Sequence, residues 1–85
     1  MEVRFKPSFI RAYKGLDPQL QEEVKEKIAL FRDGKNHIQL RVHRLKGSLA
    51  GRYSFSVNYR YRIVFMYQGK DTAILLAIGD HDVYT

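Results

Sequence analysis

The amino-acid sequence predicts an α+β domain in which two N-terminal helices pack against an antiparallel sheet. Two observations predict this fold class. The first third of the chain carries helix start and stop signals around an apolar stripe, and the second half carries apolar or alternating segments joined by short polar connections. A chain of 85 residues suits one domain, so residues 1–85 are expected to form a single domain.

The chain begins with a short strand and a short helix. Residues 2–5, EVRF, alternate between polar and apolar side chains, as a strand does. Pro7 then opens a helix over roughly residues 8–14, and Gly15 ends it.

A longer helix is predicted over residues 17–33. Asp17 can cap the free amides of its first turn, and Pro18 fits the first helical position. Gly34 is a plausible stop. One apolar stripe follows the helical spacing: Leu20, Val24, Ile28 and Phe31. This helix is therefore amphipathic, and its apolar stripe is expected to pack against a sheet.

The sheet follows the helices. Residues 38–45 read as part strand and part loop, and residues 46–51 as a loop. Residues 52–58 alternate, residues 61–67 are rich in tyrosine and β-branched side chains, and residues 72–79 are apolar almost throughout. Residues 72–79 suit a central strand covered on both faces. In the segment 52–58, Tyr53, Phe55 and Val57 are expected on one face of the strand, with Ser54 and Ser56 on the other.

Positive charge is concentrated in the middle of the chain. The formal net charge is +6, and no aspartate or glutamate lies between Gly34 and Lys70. That stretch interleaves eight lysines and arginines with tyrosines, which is the electrostatic pattern of a nucleic-acid surface. The alternative is a basic surface without a partner.

Several classes of protein are disfavoured. The chain has no cysteine, which rules out disulfides, thiolate zinc sites and a cysteine nucleophile. It has no apolar signal-peptide region, no apolar stretch near the roughly 20 residues that span a bilayer, no Gly-x-Ser-x-Gly motif and no glycine-rich phosphate loop. A soluble cytoplasmic protein without a membrane partner is expected.

Two places could carry chemistry. Arg62 lies within a predicted strand and faces away from Ile63, so it needs an anionic partner, which is either a substrate or a nearby aspartate. His81, in Gly-Asp-His-Asp at the end of the last strand, could act as an acid if its flanking aspartates raise its pKa. It could also be an exposed histidine without a task. A metal site with His37 or His43 has no recognised ligand spacing.

The order of these segments resembles the RelE/ParE superfamily of type II toxins, and is most similar to the mRNA endonucleases of the RelE and YafQ kind. Four places carry the resemblance: the helical pair, HRLKGSLAGRYSF (43–55), VNYRYRIVF (57–65) and ILLAIGDHDVY (74–84). The resemblance implies a RelE-like microbial RNase-type fold with a small curved sheet. It also implies cleavage of mRNA in the ribosomal A site by attack of a 2′-hydroxyl, without metal or other cofactor, and an antitoxin protein as partner.

The resemblance implies roles for particular residues. Arg62 would stabilise the phosphate and the transition state, His81 would be the general acid, and Tyr84 would position substrate or transfer a proton. His43 is a candidate general base. Backbone contacts to RNA would come from Arg44, Lys46, Arg52 and Arg60.

The chain departs from its relatives at the strand 53–56. Ser54 and Ser56 stand where RelE has lysines, and YafQ-like members carry a histidine where Ser56 stands and an acid where Arg60 stands. The general base would therefore be His43 or Tyr84. Two other functions stay open: a ParE-like inhibitor of DNA gyrase, and an RNA-binding toxin relic without catalysis.

Overall fold

The computed structural model describes residues 1–80, and it has two helices packed on a sheet of five strands. The α+β fold expected from the sequence is confirmed. Two short 3₁₀ turns, Gly34–Asn36 and Gly47–Leu49, lie in the connections. The helices are α1 (Pro7–Lys14) and α2 (Pro18–Phe31), and the strands are β1 (Glu2–Phe5), β2 (His43–Arg44), β3 (Tyr53–Ser56), β4 (Arg62–Gln68) and β5 (Thr72–Gly79).

The sheet is mixed rather than wholly antiparallel. Its strand order is β1-β5-β4-β3-β2, and β2 to β5 form the expected antiparallel series. β1 pairs in parallel with β5, with Glu2 opposite Thr72. Both helices and three strands lie between β1 and β5 in the chain, so no hairpin constrains the direction of this pair.

The core lies between the helices and one face of the sheet. The four stripe residues of α2 are buried, as predicted: Leu20, Val24, Ile28 and Phe31. Phe31 is fully buried and stacks on Phe55, with 4.3 Å between ring centroids, and meets Phe65 edge-on at 4.8 Å. Burial of these rings supplies much of the apolar surface that a chain of this size can remove from water.

Two strands differ in detail from the sequence interpretation. Only His43 and Arg44 of residues 38–45 form a strand, because Leu40 turns into the core and Arg41 takes a left-handed backbone conformation with φ of 58°. β5 buries Ala73, Leu75 and Ile78, while its other face is half-buried rather than covered. A register irregularity opposite Val64 and Phe65 shifts the alternation along β5.

Helix α2 begins where Asp17 predicts and ends earlier than Gly34 suggests. The Asp17 side chain accepts a hydrogen bond from the Leu20 amide at 3.0 Å, and Pro18 is the first helical residue. The helix ends at Phe31, after which Asp33 accepts from the Lys35 amide and starts a 3₁₀ turn. No helix within residues 1–80 is long and apolar enough to cross a membrane.

Replacing Asp17 with alanine is expected to lower the free energy of unfolding by about 1 kcal/mol, because a helix amide loses its acceptor. For a domain of this size, this corresponds to a fall in Tm of about 4–8 °C. Asp17→Asn is the control, since its amide oxygen can still accept from Leu20. Thermal unfolding followed by circular dichroism measures both, and equal losses in the two variants would show that the cap is not responsible.

Candidate functional site

The sheet face opposite the helices, here the distal face, carries the predicted catalytic residues that the structure describes. Ile63 and Phe65 of β4 lie in the core, so Arg62 and Val64 point to the distal face. Cross-strand pairing places Ser56 beside Arg62, and Ser54 beside both Val64 and His43. Directly paired residues share a face, so His43 and Arg62 lie on the same face of the sheet.

Arg62 is held in place by backbone carbonyls. Its Nη1 donates to the carbonyl oxygens of Asn58 at 2.6 Å and Tyr61 at 3.2 Å. A guanidinium has five N–H donors, so Nε and Nη2 retain donors for an anionic ligand.

The turn between β3 and β4 builds this anchor, and sequence analysis overlooked its central residue, Asn58. The Asn58 side-chain oxygen accepts from the amides of Arg60 at 2.9 Å and Tyr61 at 2.8 Å. Its side-chain nitrogen donates to Glu23 of α2 at 3.2 Å. Asparagine followed by two polar positions between alternating strands is a signal for such a turn, and that signal was present in the sequence.

His43 is exposed and has a defined ring orientation. Its Nδ1 lies 2.9 Å from the carbonyl oxygen of Arg41. A carbonyl only accepts, so Nδ1 is the donor and Nε2 of the neutral ring keeps its lone pair, as a general base requires. Two strand spacings and two residues separate His43 from Arg62, which puts their Cα atoms about 12 Å apart. The two side chains thus flank Ser54 and Ser56 without touching.

The four residues expected to contact the RNA backbone come from three parts of the chain: β2, the connection between β2 and β3, and the turn before β4. Arg44 pairs with Tyr53, which packs against the core, so Arg44 lies on the helix side of the sheet with its guanidinium carbon 6.0 Å from the Tyr53 ring centroid. Lys46 and Arg52 are exposed at the connection between β2 and β3. Arg60 is exposed in the turn before β4 and lies 5.6 Å from the Tyr61 ring centroid.

His81 and Tyr84, the predicted acid and aromatic, lie outside the described residues. The last residue of β5, Gly79, pairs with Arg62. Asp80, the last described residue, is half-buried. No group of three or more histidine, aspartate and glutamate side chains within residues 1–80 could hold a metal ion.

A polar cleft of about 370 Å³ adjoins Arg62. Side chains from α2, from the segment 39–41 and from the turn between β3 and β4 line it, including Glu23, Lys27, Arg41 and Tyr59. Ser56 and Asn58 form part of the same wall. None of these residues except Ser56 was singled out from the sequence, because the segments meet only after the helices pack.

A second concavity, of about 430 Å³, lies on the helix side and is mainly apolar. Phe5, Phe9, Ile10 and Tyr13 line it together with residues of α2. Lys25, at its edge, has a raised pKa because it donates a hydrogen bond to Glu22. Burial, and to a smaller extent Tyr53, raises the pKa of Tyr67 on the same side of the sheet. Among the described residues, the expected acid–base group His43 does not line this concavity.

Comparison with known proteins agrees with the fold. The family model of the ParE-like toxin domain matches residues 18–85. No curated protein sequence matches the chain closely enough to count as a relative.

Three solved structures are similar over nearly their whole length. YafQ from E. coli has a TM-score of 0.74 at 13% identity, covering 98% of this chain and 96% of YafQ. A YoeB–YefM complex from Staphylococcus aureus has a TM-score of 0.74 at 18% identity, covering 95% and 97%. The toxin–antitoxin complex RelBE2 from Mycobacterium tuberculosis has a TM-score of 0.72 at 22% identity, covering 94% and 96%. At these identities the likeness concerns the fold.

Proposed function

The chain belongs to the family of ParE-like toxin domains, within the RelE/ParE superfamily of type II toxins, and on this premise we propose that it cleaves mRNA in the ribosomal A site. The activity would be that of a metal-independent endoribonuclease that stops translation in the cytoplasm. The observation that carries the proposal is Arg62, held by two carbonyls on the distal face with guanidinium donors left for a phosphate.

The proposed reaction is a transesterification within the RNA strand. The 2′-oxygen attacks the adjacent phosphorus, and the bond from phosphorus to the 5′-oxygen breaks. The products are a 2′,3′-cyclic phosphate and a 5′-hydroxyl. Negative charge builds on the non-bridging oxygens in the transition state, and a preorganised planar cation stabilises that charge without reorganising.

The proton leaving the 2′-hydroxyl needs a base. His43 can serve, since its hydrogen bond to Arg41 leaves Nε2 as an acceptor directed away from the backbone. Its separation from Arg62 leaves room for a nucleotide between them. Tyr84 is the other candidate for this role.

The leaving 5′-oxygen needs a proton, and we assign its donation to His81. A histidine between two aspartates is favoured in its charged form when those carboxylates come close. Tyr84 would then help to position the substrate. The exposed cations Lys46, Arg52 and Arg60 would contact the RNA backbone, and Arg44 would do so only from the helix side.

We further propose that a cognate antitoxin protein binds this toxin. Two of the structurally similar proteins, RelBE2 and YoeB, were solved as toxin–antitoxin complexes. The excess of positive charge between residues 34 and 70 suits an acidic partner that covers the basic surface or lies over the sheet.

Primer extension on an mRNA held in programmed ribosomes tests the endonuclease proposal. The wild-type protein is expected to cut within the A-site codon when ribosomes are present and not in their absence. His81→Ala is expected to cut about a hundredfold more slowly, since general acid catalysis contributes at least this much. Thr85→Ala, a nearby change that removes no titratable group, is the control and should cut normally.

Two outcomes would contradict the proposal. Absence of cuts by a folded protein that stops growth would favour the gyrase-inhibitor alternative, which gyrase-linked DNA breaks would identify. Normal cutting by His81→Ala would remove His81 from the mechanism and leave the endonuclease assignment in place.

A further inference from the structure

The turn between β3 and β4 exposes one aromatic side chain almost completely. Tyr59 is 91% exposed, whereas its neighbours Val57 and Tyr61 are buried or half-buried. A tyrosine ring that stays in water keeps its apolar faces open to a planar ligand. The residue contributes little to the core and is available for binding.

The turn that carries Tyr59 is structurally constrained. Asn58 accepts from two amides of the turn and donates to Glu23 of α2, which ties the turn to the helix. Arg62 donates to the carbonyls of Asn58 and Tyr61, one on each side of the Tyr59–Arg60 pair. The backbone of Tyr59 is therefore held at a set position relative to the guanidinium of Arg62.

The surroundings of Tyr59 are polar and rich in positive charge. The cleft beside it is lined by three cations, Lys27, Arg41 and Arg62, by one carboxylate, Glu23, and by the amide side chains of Gln39 and Asn58. Its volume of about 370 Å³ lies within the range of small-molecule pockets. An exposed ring beside amides and cations, with few apolar neighbours, suits a nucleotide better than an apolar protein segment.

We propose that Tyr59 is a stacking platform for a nucleobase of single-stranded RNA, and that the adjoining cleft receives the polar edge of that base. The inference rests on the proposed function for the substrate class, since it places the base next to the phosphate that Arg62 holds. Every base has a π-face, so the ring itself selects single-stranded RNA rather than a particular sequence. Gln39 is the amide side chain of the cleft able to distinguish base edges, since that of Asn58 is engaged by the turn and by Glu23.

A short RNA that contains 2-aminopurine tests this site. Its riboses are 2′-O-methylated so that it cannot be cleaved, and the fluorescence of 2-aminopurine falls when the base stacks on an aromatic ring. Wild-type protein at low salt is expected to quench the fluorescence. Tyr59→Ala is expected to abolish quenching and to weaken binding about tenfold, which is within the contribution of one stacked base.

Two further variants separate stacking from other effects. Tyr59→Phe keeps the ring and should quench like the wild type, whereas Tyr59→Leu keeps apolar bulk and should not. Since the side chain is exposed, all three variants should unfold at the wild-type temperature. Quenching that is absent with wild type, or unchanged in Tyr59→Ala, would overturn the inference.

The result is separable from the proposed function, because the probe RNA does not depend on cleavage. Quenching that requires Tyr59, together with no cuts on ribosomes, would support the stacking site and contradict the endonuclease proposal. Normal cuts on ribosomes without Tyr59-dependent quenching would support the endonuclease proposal and contradict the stacking site.

Discussion

Replacing Arg62 with alanine is expected to slow A-site cleavage by about 10²–10³-fold, the usual effect of removing one preorganised group that stabilises transition-state charge. The backbone carbonyl groups of Asn58 and Tyr61 hold this guanidinium on the distal face. Its loss also leaves those two carbonyls without this donor. Single-turnover cleavage on programmed ribosomes measures the rate, and growth arrest on overexpression, which should be relieved, gives a second readout.

Two matched variants locate the effect. Arg62→Lys keeps the charge but not the planar fork, so it should recover only part of the rate. Arg60→Ala removes a cation from the same turn that lies against the Tyr61 ring and is exposed. It should weaken binding most at low salt, where charge contacts are least screened, and leave the rate at saturation nearly unchanged. An Arg62→Ala protein that unfolds normally and cleaves at the wild-type rate would refute the role assigned to Arg62.

Replacing Phe31 with alanine is expected to lower the free energy of unfolding by about 3–5 kcal/mol, as large-to-small changes at buried aromatic positions do. Phe31 is fully buried and contacts three rings, with centroid distances of 4.3 Å to Phe55, 4.8 Å to Phe65 and 5.0 Å to His37. Domains have a total stability of only about 5–15 kcal/mol, so this variant should be largely unfolded at moderate temperature.

Urea unfolding measures this loss, and two variants calibrate it. Phe31→Leu keeps most of the volume and should cost clearly less than alanine. Ile10→Ala truncates an apolar side chain that is 40% exposed and should cost less still. A Phe31→Ala protein that loses less than about 1 kcal/mol would show that the three rings repack around the vacancy.

Much of the helical layer was predictable, because its signals are local. The Asp17 cap and Pro18 determine where α2 begins, and the apolar stripe determines which side of it is buried. The end of α2 was predicted less accurately, because Gly34 suggests a later stop, whereas the helix ends at Phe31. Helix ends depend on which residues the following turn must bury, and Leu40 is one of these.

The candidate site was predictable in part. Strand alternation correctly separated Arg62 from Ile63, and pairing then placed His43 on the same face. Pairing with Tyr53 places Arg44 on the helix side instead, and its contact with RNA stays a prediction. The roles of His81 and Tyr84 remain predictions, since both lie outside residues 1–80.

Local sequence signals were enough to predict the α+β class, the two helices and their buried stripe, the alternation of β3 and β4, and the basic middle of the chain. Each depends on residues within a few positions of one another, through capping, periodicity or charge. The parallel pairing of β1 with β5 and the contact of Asn58 with Glu23 could not be predicted in this way. Nor could the cleft beside Tyr59. These features join segments far apart in the chain, and their geometry is set by how the helices and the sheet pack together.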